Sequence, residues 1–395
     1  MATAAMTDVA IDGPAVDLVG ALDLEETPDG LVPRRLPAWT RPQIPDLFME
    51  AMVKMPSGVR LRFATDATEV ELDVHVTHIR PLPLPLRPSV FDLLVDGRLA
   101  AQVPTTVGTV ISIDALDPSA SITFDEGPAT TVRFDGLAAG TKVLELWLPQ
   151  GSSVELRGLR VTAGATVDAA PEDERPRWIH YGSSISHCME ADSPTGTWPA
   201  VAAAAAGLDL RSVAFAGQCQ LDQFVARTIR DLPADVITLK VGINVVNGNT
   251  LNERAFSPAV HGFLDTVRDG HPDTPIVVVS PIFCPSAEDH PGPTVPDADR
   301  KFVTVPGLED LRATSLTLVR LRRALSEIVA LRIGLGDENL RYLDGLGLFG
   351  PDDAGDLPDD LHPNAAGYRR MGARFAEQVF AEGGVLGPIS RSTEA

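Results

Sequence analysis

The sequence contains few cysteines, and this shortage excludes two kinds of site. Cys188, Cys219 and Cys284 are the three cysteines among 395 residues, widely spaced and odd in number. They fit neither a disulfide framework nor a CxxC metal site. Isolated cysteines are typical of proteins from a reducing compartment.

Long apolar runs are missing as well. No stretch approaches the roughly 20 apolar residues of a membrane-spanning helix. The N-terminal residues 1–24 carry acidic side chains where a secretory signal needs lysine or arginine, and they contain no long apolar segment. We therefore expect a cytoplasmic protein without a membrane partner.

Basic residues are scarce relative to acidic ones. The chain has 33 lysines and arginines against 54 aspartates and glutamates, a formal net charge of -21. Such a charge repels phosphate backbones, so we expect no nucleic-acid partner. No glycine-rich phosphate loop with a following lysine occurs. His75 and His78 are three apart on a predicted strand and face opposite sides, so the sequence predicts neither a cofactor nor a metal.

What the sequence does contain divides into two parts, as about one domain per 150 residues predicts for this length. From residue 16 to residue 162, apolar and polar residues alternate over short runs, as in 69–76. Turn signals such as Asp96-Gly97 separate these runs, which include 91–95, 107–113, 121–124, 142–148 and 153–161. Seven or more short strands predict an all-β sandwich, jelly-roll-like, over residues 1–168.

Residues 169–176 are polar, contain two prolines and read as a linker. After them strands and helices alternate. The predicted strands are 178–181, 211–216, 236–241 and 276–281, and the predicted helices are 198–207, 221–230, 258–269, 308–331 and 364–381. This alternation predicts a parallel sheet covered on both faces, a three-layer α/β/α domain over residues 177–395.

One long segment of the second part has no periodicity. Residues 284–301 include four prolines. Loops of this length in compact domains are usually functional or mobile. We favour a lid or substrate-binding loop over a disordered bulge.

Polar residues follow the predicted parallel strands at the sheet edge where such folds bind ligands. Ser184 follows the first strand as the last residue of a Gly-Ser-Ser triplet, Gly217 follows the second strand, and Asn244 follows the third. Asp359 and His362 lead into the final helix. These residues are therefore expected to lie close together.

Their chemistry fits acyl transfer by a serine, which needs a base, a carboxylate that orients the base, and donors for the developing oxyanion. Ser184 can be the nucleophile and His362 its base. Asp359 can orient the imidazole, because a spacing of three within one turn lets the carboxylate reach it. The backbone N–H groups of Ser184 and Gly217, with the amide of Asn244, would form the oxyanion hole.

Each residue also has a structural alternative. Ser184 could cap a helix, Asn244 could satisfy a turn, and His362 could be a surface residue beside a helix-starting proline. Their joint occurrence, in order and at strand ends, favours the catalytic interpretation. Asp360 is the rival of Asp359, and the spacing favours Asp359.

This ordered set resembles the SGNH (GDSL) hydrolase family, whose four blocks supply a serine, a glycine, an asparagine and a D-x-x-H histidine. The resemblance covers residues 176–385. It implies an α/β fold and a nucleophile, two oxyanion donors and an acid–base pair, in the order Ser184, Gly217, Asn244, Asp359 and His362.

Two positions depart from the family pattern. Ser183 stands where the first block usually has aspartate, and Val245 stands where the third block usually has aspartate. The continuation through Ser186 and His187 looks like a branch with an N-terminal β-sandwich, which includes sugar-ester esterases and an acyltransferase of a tetracycline-type polyketide. His187 and Cys188 fit either a pocket wall or packed positions.

We therefore predict a serine esterase or acyltransferase that acts on small-molecule O-acyl esters or acyl thioesters. An acyl-CoA would serve as a substrate and not as a cofactor. The first alternative is a dedicated acyl-CoA-dependent O-acyltransferase that modifies a natural-product hydroxyl. The second is a non-catalytic carbohydrate-binding protein, which the intact set of blocks disfavours.

Overall fold

The computed structural model describes residues 5–114 and 122–392, and this part of the chain forms two compact units. The first unit comprises Met1–Asp173 with Asp192–Thr195, and the second comprises Glu174–Ala191 with Gly196–Ala395. The short segment Asp192–Thr195 is attached to the rest of the first unit by two hydrogen bonds. Asp92 Oδ2 accepts from Thr195 N at 3.0 Å and from Thr195 Oγ1 at 2.6 Å.

The first unit is rich in strands, as its alternating pattern predicts. It contains one α-helix among its described residues, α1 (Leu47–Lys54), and strands β1 to β14: Met6–Val9, Asp17–Val19, Asp23–Glu26, Leu31–Arg34, Arg60–Thr65, Val70–Pro81, Ser89–Val95, Arg98–Thr105, Thr109–Ile113, Thr123–Asp125, Thr130–Phe134, Lys142–Trp147, Ser152–Thr162 and Val167–Asp168. The run expected at 121–124 is a strand from Thr123, while residue 121 lies outside the described residues.

These strands form two sheets. The larger sheet has the order β10-β9-β6-β13-β4-β3, with β1 on β13 and β11 on β6, and it is mixed because β6 and β9 run parallel. The smaller sheet has the antiparallel order β14-β5-β12-β7-β8, with β2 on β5. Every second side chain of β6 enters a shared apolar core, beginning Val70, Leu72, Val74 and Val76.

The second unit alternates strands and helices. Its strands β15 to β21 are Arg177–Gly182, Asp209–Ala214, Val236–Lys240, Ile276–Val279, Thr294–Pro296, Phe302–Thr304 and Leu340–Leu343. Its helices α2 to α8 are Ser184–His187, Trp198–Ala206, Gln223–Asp231, Ile243–Asn247, Glu253–Gly270, Leu318–Gly334 and Ala365–Phe375. A parallel sheet with the order β16-β15-β17-β18-β21 runs through this unit. The prediction of an α/β fold after a strand-rich N-terminal unit is confirmed.

Several predicted bounds are wrong. The helix expected at 308–331 begins at Leu318, where Thr317 Oγ1 accepts from Arg320 N at 3.3 Å and caps it. The helix expected from residue 258 begins at Glu253 and contains Pro258. The helix expected at 364–381 consists of α8 and a π-helical turn, Ala376–Phe380, so its bounds agree with the prediction. The fifth parallel strand, β21, was not predicted.

Candidate active site

Strand β15 leads to Ser184 through a turn that requires glycine. A Cβ added to Gly182 would lie 2.4 Å from Ser186 Oγ, closer than real Cβ atoms approach. The chain then passes through extended Ser183 and begins α2 at Ser184. Ser184 is half-buried, whereas Ser183 and Ile185 are buried, so Ser184 has the more accessible hydroxyl of the two adjacent serines.

His362 links Ser184 to Asp359. Its Nε2 lies 2.9 Å from Ser184 Oγ, and its Nδ1 lies 2.7 Å from Asp359 Oδ2. When Nδ1–H donates to the carboxylate, Nε2 is the ring nitrogen that can accept from the hydroxyl. The other carboxylate oxygen, Asp359 Oδ1, accepts the backbone N–H groups of Leu361 at 3.0 Å and His362 at 2.7 Å.

The carboxylate against the imidazole belongs to Asp359 and not to its neighbour. Asp360 adopts a left-handed φ of 65° and pairs with Lys301 Nζ at 3.2 Å. Burial acts to raise the pKa of Asp359, but the hydrogen bonds and charge of His362 outweigh burial and lower that pKa below its usual value. The ionised carboxylate can therefore stabilise an imidazolium.

Sheet register brings the second and third blocks to the edge where Ser184 lies. Strand β15 lies between β16 and β17, and its last residue pairs with Ala214 on one side and Lys240 on the other. Gly217 follows a few residues after Ala214, and Asn244 follows a few residues after Lys240. The three loops therefore leave the sheet at the same level.

Two hydrogen bonds join these loops. Ala216 N–H donates to His187 Nδ1 at 3.3 Å, and Cys219 N–H donates to Asn244 Oδ1 at 3.0 Å. The second bond turns Asn244 Oδ1 towards Cys219, so the Nδ2 amino group faces the other way. Between the two donors lies Gly217, with a φ of 71°. Of the two positions considered for His187, a pocket wall and a packed position, its full burial favours the packed one.

A buried polar network beneath the serine was not predicted. His180 Nε2 lies 2.8 Å from Ser186 Oγ, and His180 Nδ1 lies 2.6 Å from Thr238 Oγ1. Burial, with the charge of Lys240, lowers the pKa of His180 to about 3, so this imidazole is neutral and too weakly basic to serve as a second base. Strand alternation could have revealed it, because His180 and Gly182 share a face of β15.

Two buried polar groups near the serine have no hydrogen-bond partner among the described residues, Lys240 Nζ and Ser183 Oγ. Burial lowers the pKa of Lys240 to about 8. Two buried thiols are its neighbours, and burial raises the pKa of Cys188 well above its usual value and that of Cys219 to about 12. These thiols are therefore protonated and are not competing nucleophiles.

The segment predicted as a lid or binding loop, 284–301, contains strand β19, which pairs with β20 in a β-hairpin. Phe302, the first residue of β20, donates its backbone N–H to Asp359 O at 2.8 Å. Its ring meets the His362 imidazole edge-on, with 5.6 Å between the centroids. The sequence did not single out Phe302, because an isolated aromatic residue beyond a proline-rich loop belongs to no periodic pattern.

Two protein-family models match the chain, one in each of its two parts. The model of the GDSL-like lipase/acylhydrolase family matches residues 180–370, and the model of the SsfX3 N-terminal domain matches residues 16–157. The structure of the salicylyl-acyltransferase SsfX3 from a tetracycline biosynthetic pathway is 32% identical, with a TM-score of 0.78, over 93% of this chain and 95% of that chain. The chain belongs to the GDSL-like lipase/acylhydrolase family. The resemblance found in its sequence is confirmed.

This GDSL enzyme also shares its fold with carbohydrate esterases of family two. The enzyme from Clostridium thermocellum is 16% identical with a TM-score of 0.58, over 92% of this chain and 97% of that chain. The enzyme from Cellvibrio japonicus is 14% identical with a TM-score of 0.56, over 95% and 97%. None of the curated proteins matches the chain.

Family membership makes the chain an SGNH-type enzyme of the esterase and acyltransferase class. It implies a catalytic triad, an oxyanion hole and small-molecule ester or acyl substrates. Within the described residues, no helix is both long and apolar enough to cross a membrane.

Proposed function

We propose that this enzyme transfers an acyl group through Ser184. The hydrogen-bonded line from Asp359 through His362 to Ser184 carries the proposal. His362 Nε2 takes the hydroxyl proton as Ser184 Oγ attacks the carbonyl carbon, and the imidazolium then protonates the departing oxygen or sulfur. In the second half-reaction, water or an acceptor hydroxyl gives its proton to His362 and attacks the acyl-serine, which releases Ser184.

We assign the oxyanion hole to the backbone N–H groups of Ser184 and Gly217 and to Asn244 Nδ2. The shared sheet edge and the orientation of the Asn244 amide support this assignment. Ser184 N–H lies in the first turn of α2, where helix geometry leaves N–H groups without intrahelical acceptors. One such donor typically contributes about 3–4 kcal/mol to transition-state stabilisation.

We infer that the acceptor is a small-molecule hydroxyl and that transfer outweighs hydrolysis. The relative at 32% identity is an acyltransferase, and its alignment extends over both units. An acyl thioester such as an acyl-CoA would be the donor, and a natural-product hydroxyl the acceptor. Hydrolysis is the second candidate, because the matching family includes acylhydrolases.

We propose that the chain itself supplies every group this chemistry needs, without a metal or cofactor. The nucleophile, base, carboxylate and donors are all side-chain or backbone groups of the second unit. We also propose a cytoplasmic location, as the sequence predicts. The three free, buried cysteines support it, because isolated thiols are typical of a reducing compartment.

We also propose the finer architecture, a β-sandwich at 1–168, a linker at 169–176 and a three-layer α/β/α domain at 177–395. The apolar core of the first unit draws side chains from both of its sheets, for example Leu61, Phe63, Leu72 and Val74, which supports face-to-face packing. In the second unit, α3 packs with α8 and α4 packs with α6, as two separate helix layers require.

A fluorophosphonate probe tests the enzymatic proposal. We expect the wild type and Ser183→Ala to be labelled on Ser184, and Ser184→Ala to lose both labelling and turnover. Ser183 is the matched control, because it is the adjacent serine but its hydroxyl is buried. If the folded wild-type protein is not labelled, the enzymatic proposal is wrong and the non-catalytic alternative is favoured.

The fate of the acyl group is tested with acyl esters and acyl-CoAs, with and without hydroxyl acceptors, by mass spectrometry of products and acyl-enzyme. Acceptor-dependent turnover of an acyl-CoA supports transfer. Rapid release to water from every donor, whether or not an acceptor is present, rules out a dedicated transferase.

A further inference from the structure

The hairpin of β19 and β20 is anchored on two sides of the proposed active site. Thr294 Oγ1, in β19, donates to Asn247 Oδ1 at 3.1 Å, and Asn247 ends helix α5, the helix that carries Asn244. On the other side, Phe302 N–H bonds to Asp359 O. The hairpin therefore connects the oxyanion block to the acid–base block.

The two faces of the hairpin differ. Phe302 and its cross-strand partner Pro296 are half-buried, as are Thr294 and Thr304 on the same side. Val295 and Val303, on the opposite side, are 40% and 37% exposed. Strand alternation thus directs the Phe302 side towards the rest of the unit.

The position of Phe302 beside His362 identifies which part of a substrate it would meet. His362 must protonate the leaving group, an alcohol or a thiol, in the first half-reaction and deprotonate the acceptor alcohol in the second. Both groups therefore occupy the histidine side of the serine. The ring of Phe302 lies against that imidazole and is not fully buried. An aromatic ring at such a position binds apolar rings by stacking or edge contact.

We propose, on the basis of the proposed function, that Phe302 is the specificity-determining residue of the leaving-group and acceptor subsite and selects an apolar, ring-bearing alcohol. With an O-acyl ester as donor the preference applies to both half-reactions, because one subsite serves the departing and the incoming alcohol. With an acyl thioester as donor it applies to the incoming alcohol. A ring-bearing alcohol that fills this subsite beside Phe302 also keeps water away from the acyl-serine. Transfer to the alcohol is then favoured over hydrolysis.

The test compares three esters that differ in one part at a time. Benzyl acetate and propyl acetate differ in the alcohol, while propyl acetate and propyl benzoate differ in the acyl group. We expect Phe302→Ala to lower kcat/KM for benzyl acetate about tenfold relative to propyl acetate, the scale of one lost aromatic pair. The ratio between the two propyl esters should stay unchanged.

Acceptor selection gives an independent measurement. With acetyl-CoA as donor, Phe302→Ala should lose the preference for benzyl alcohol over propanol and release more acetate to water. Val303→Ala is the matched control, since it shortens the next side chain on the outward side, and it should retain both preferences. If the alanine variant does not fold, Phe302→Leu, which keeps apolar bulk but no ring, carries the same comparison.

Two results would overturn the inference. If Phe302→Ala slows fluorophosphonate labelling and all three esters by one common factor, Phe302 positions His362 and selects no alcohol. If Val303→Ala changes the benzyl preference as much, the fold of the hairpin and not the ring is responsible. Failure of the proposed function is distinguishable, because wild-type Ser184 would then resist labelling whatever residue occupies position 302.

Discussion

At the scale of single residues, Asp359 and Lys240 show how burial acts on a charge with partners and on one without. Both pKa values are lowered. For Asp359 this means that the charged form is stabilised, because His362 and two backbone N–H groups surround the carboxylate. For Lys240 it means that the charged form is destabilised, because Nζ is buried and has no hydrogen-bond partner in the part of the chain that the structure describes.

We therefore predict that Lys240→Met stabilises the protein at neutral pH by a few kcal/mol. Between about pH 8 and 10.5, the unfolded chain retains the Lys240 proton that the folded protein has released. The free energy of unfolding of the wild type should thus rise with pH in this window, and the variant should lack that rise. Urea unfolding at several pH values measures both effects.

Lys142 provides the control for this prediction. It is also buried, but its Nζ donates to Ala67 O at 2.7 Å and to Gly140 O at 3.2 Å. Lys142→Met removes these bonds and should not stabilise the protein. Equal stabilisation by both substitutions would show that the added apolar surface, and not the unpaired charge, determines the result.

The sequence predicts the candidate site better than its surroundings. Ser184, Gly217 and Asn244 follow from their positions after successive strands, and Asp359 and His362 from their place before the final helix. The three-residue spacing distinguishes Asp359 from Asp360. The structure brings the triad candidates into hydrogen-bond contact, while their catalytic roles remain a proposal. The ring contact of Phe302 with His362 and the burial of Lys240 could not be predicted, because both depend on contacts with residues distant in sequence.

At the scale of elements, the start of α8 helps to hold the proposed base. Asn364 Oδ1 accepts from Gly367 N at 2.9 Å and caps this helix, while Asn364 Nδ2 donates to Asp356 Oδ1 at 2.9 Å. His362 lies two residues before the cap. The loop that carries the imidazole is therefore fixed at the helix that follows it.

We predict that Asn364→Ala costs about 1 kcal/mol of stability and also lowers kcat severalfold. The kinetic loss follows because the imidazole is held less closely to Ser184. Asn252 is the matched control, since its Oδ1 accepts from Ala255 N at 3.0 Å and caps α6 in the same way. Asn252→Ala should lose similar stability with unchanged kcat. Equal kinetic effects of the two variants would contradict a specific role of the α8 cap.

Element bounds were predicted least well where capping and tertiary packing outweigh periodicity. Asn252 and Thr317 cap α6 and α7 and determine where these helices start. Strand β21 was missed because four residues show too short a pattern, and its pairing with β18 supplies the hydrogen bonds that define it.

At the scale of the whole molecule, the formal net charge of -21 affects how fast charged acyl donors bind. Acyl-CoAs carry several phosphate charges, so the long-range field slows their association, and salt screens that field. A neutral thioester with the same acyl group experiences no such repulsion.

We predict that kcat/KM for an acyl-CoA rises severalfold as added salt shortens the Debye length from about 30 Å to about 8 Å. The value for a neutral short-chain thioester should change little. Initial-rate measurements with the two donors at several salt concentrations provide the test. A fall with salt for the acyl-CoA alone would instead indicate a local basic site that binds its phosphates.

The distance along the chain between the two ends of the Ser184–His362 hydrogen bond has a consequence for the newborn protein. His362 follows Ser184 by 178 residues, whereas Gly217 and Asn244 come soon after the next two strands, β16 and β17. On the ribosome, Ser184 and its proposed oxyanion donors emerge long before His362, its proposed base. We therefore expect Ser184 of a nascent chain to behave as an ordinary alcohol until α8 has been synthesised and docked and His362 is in place.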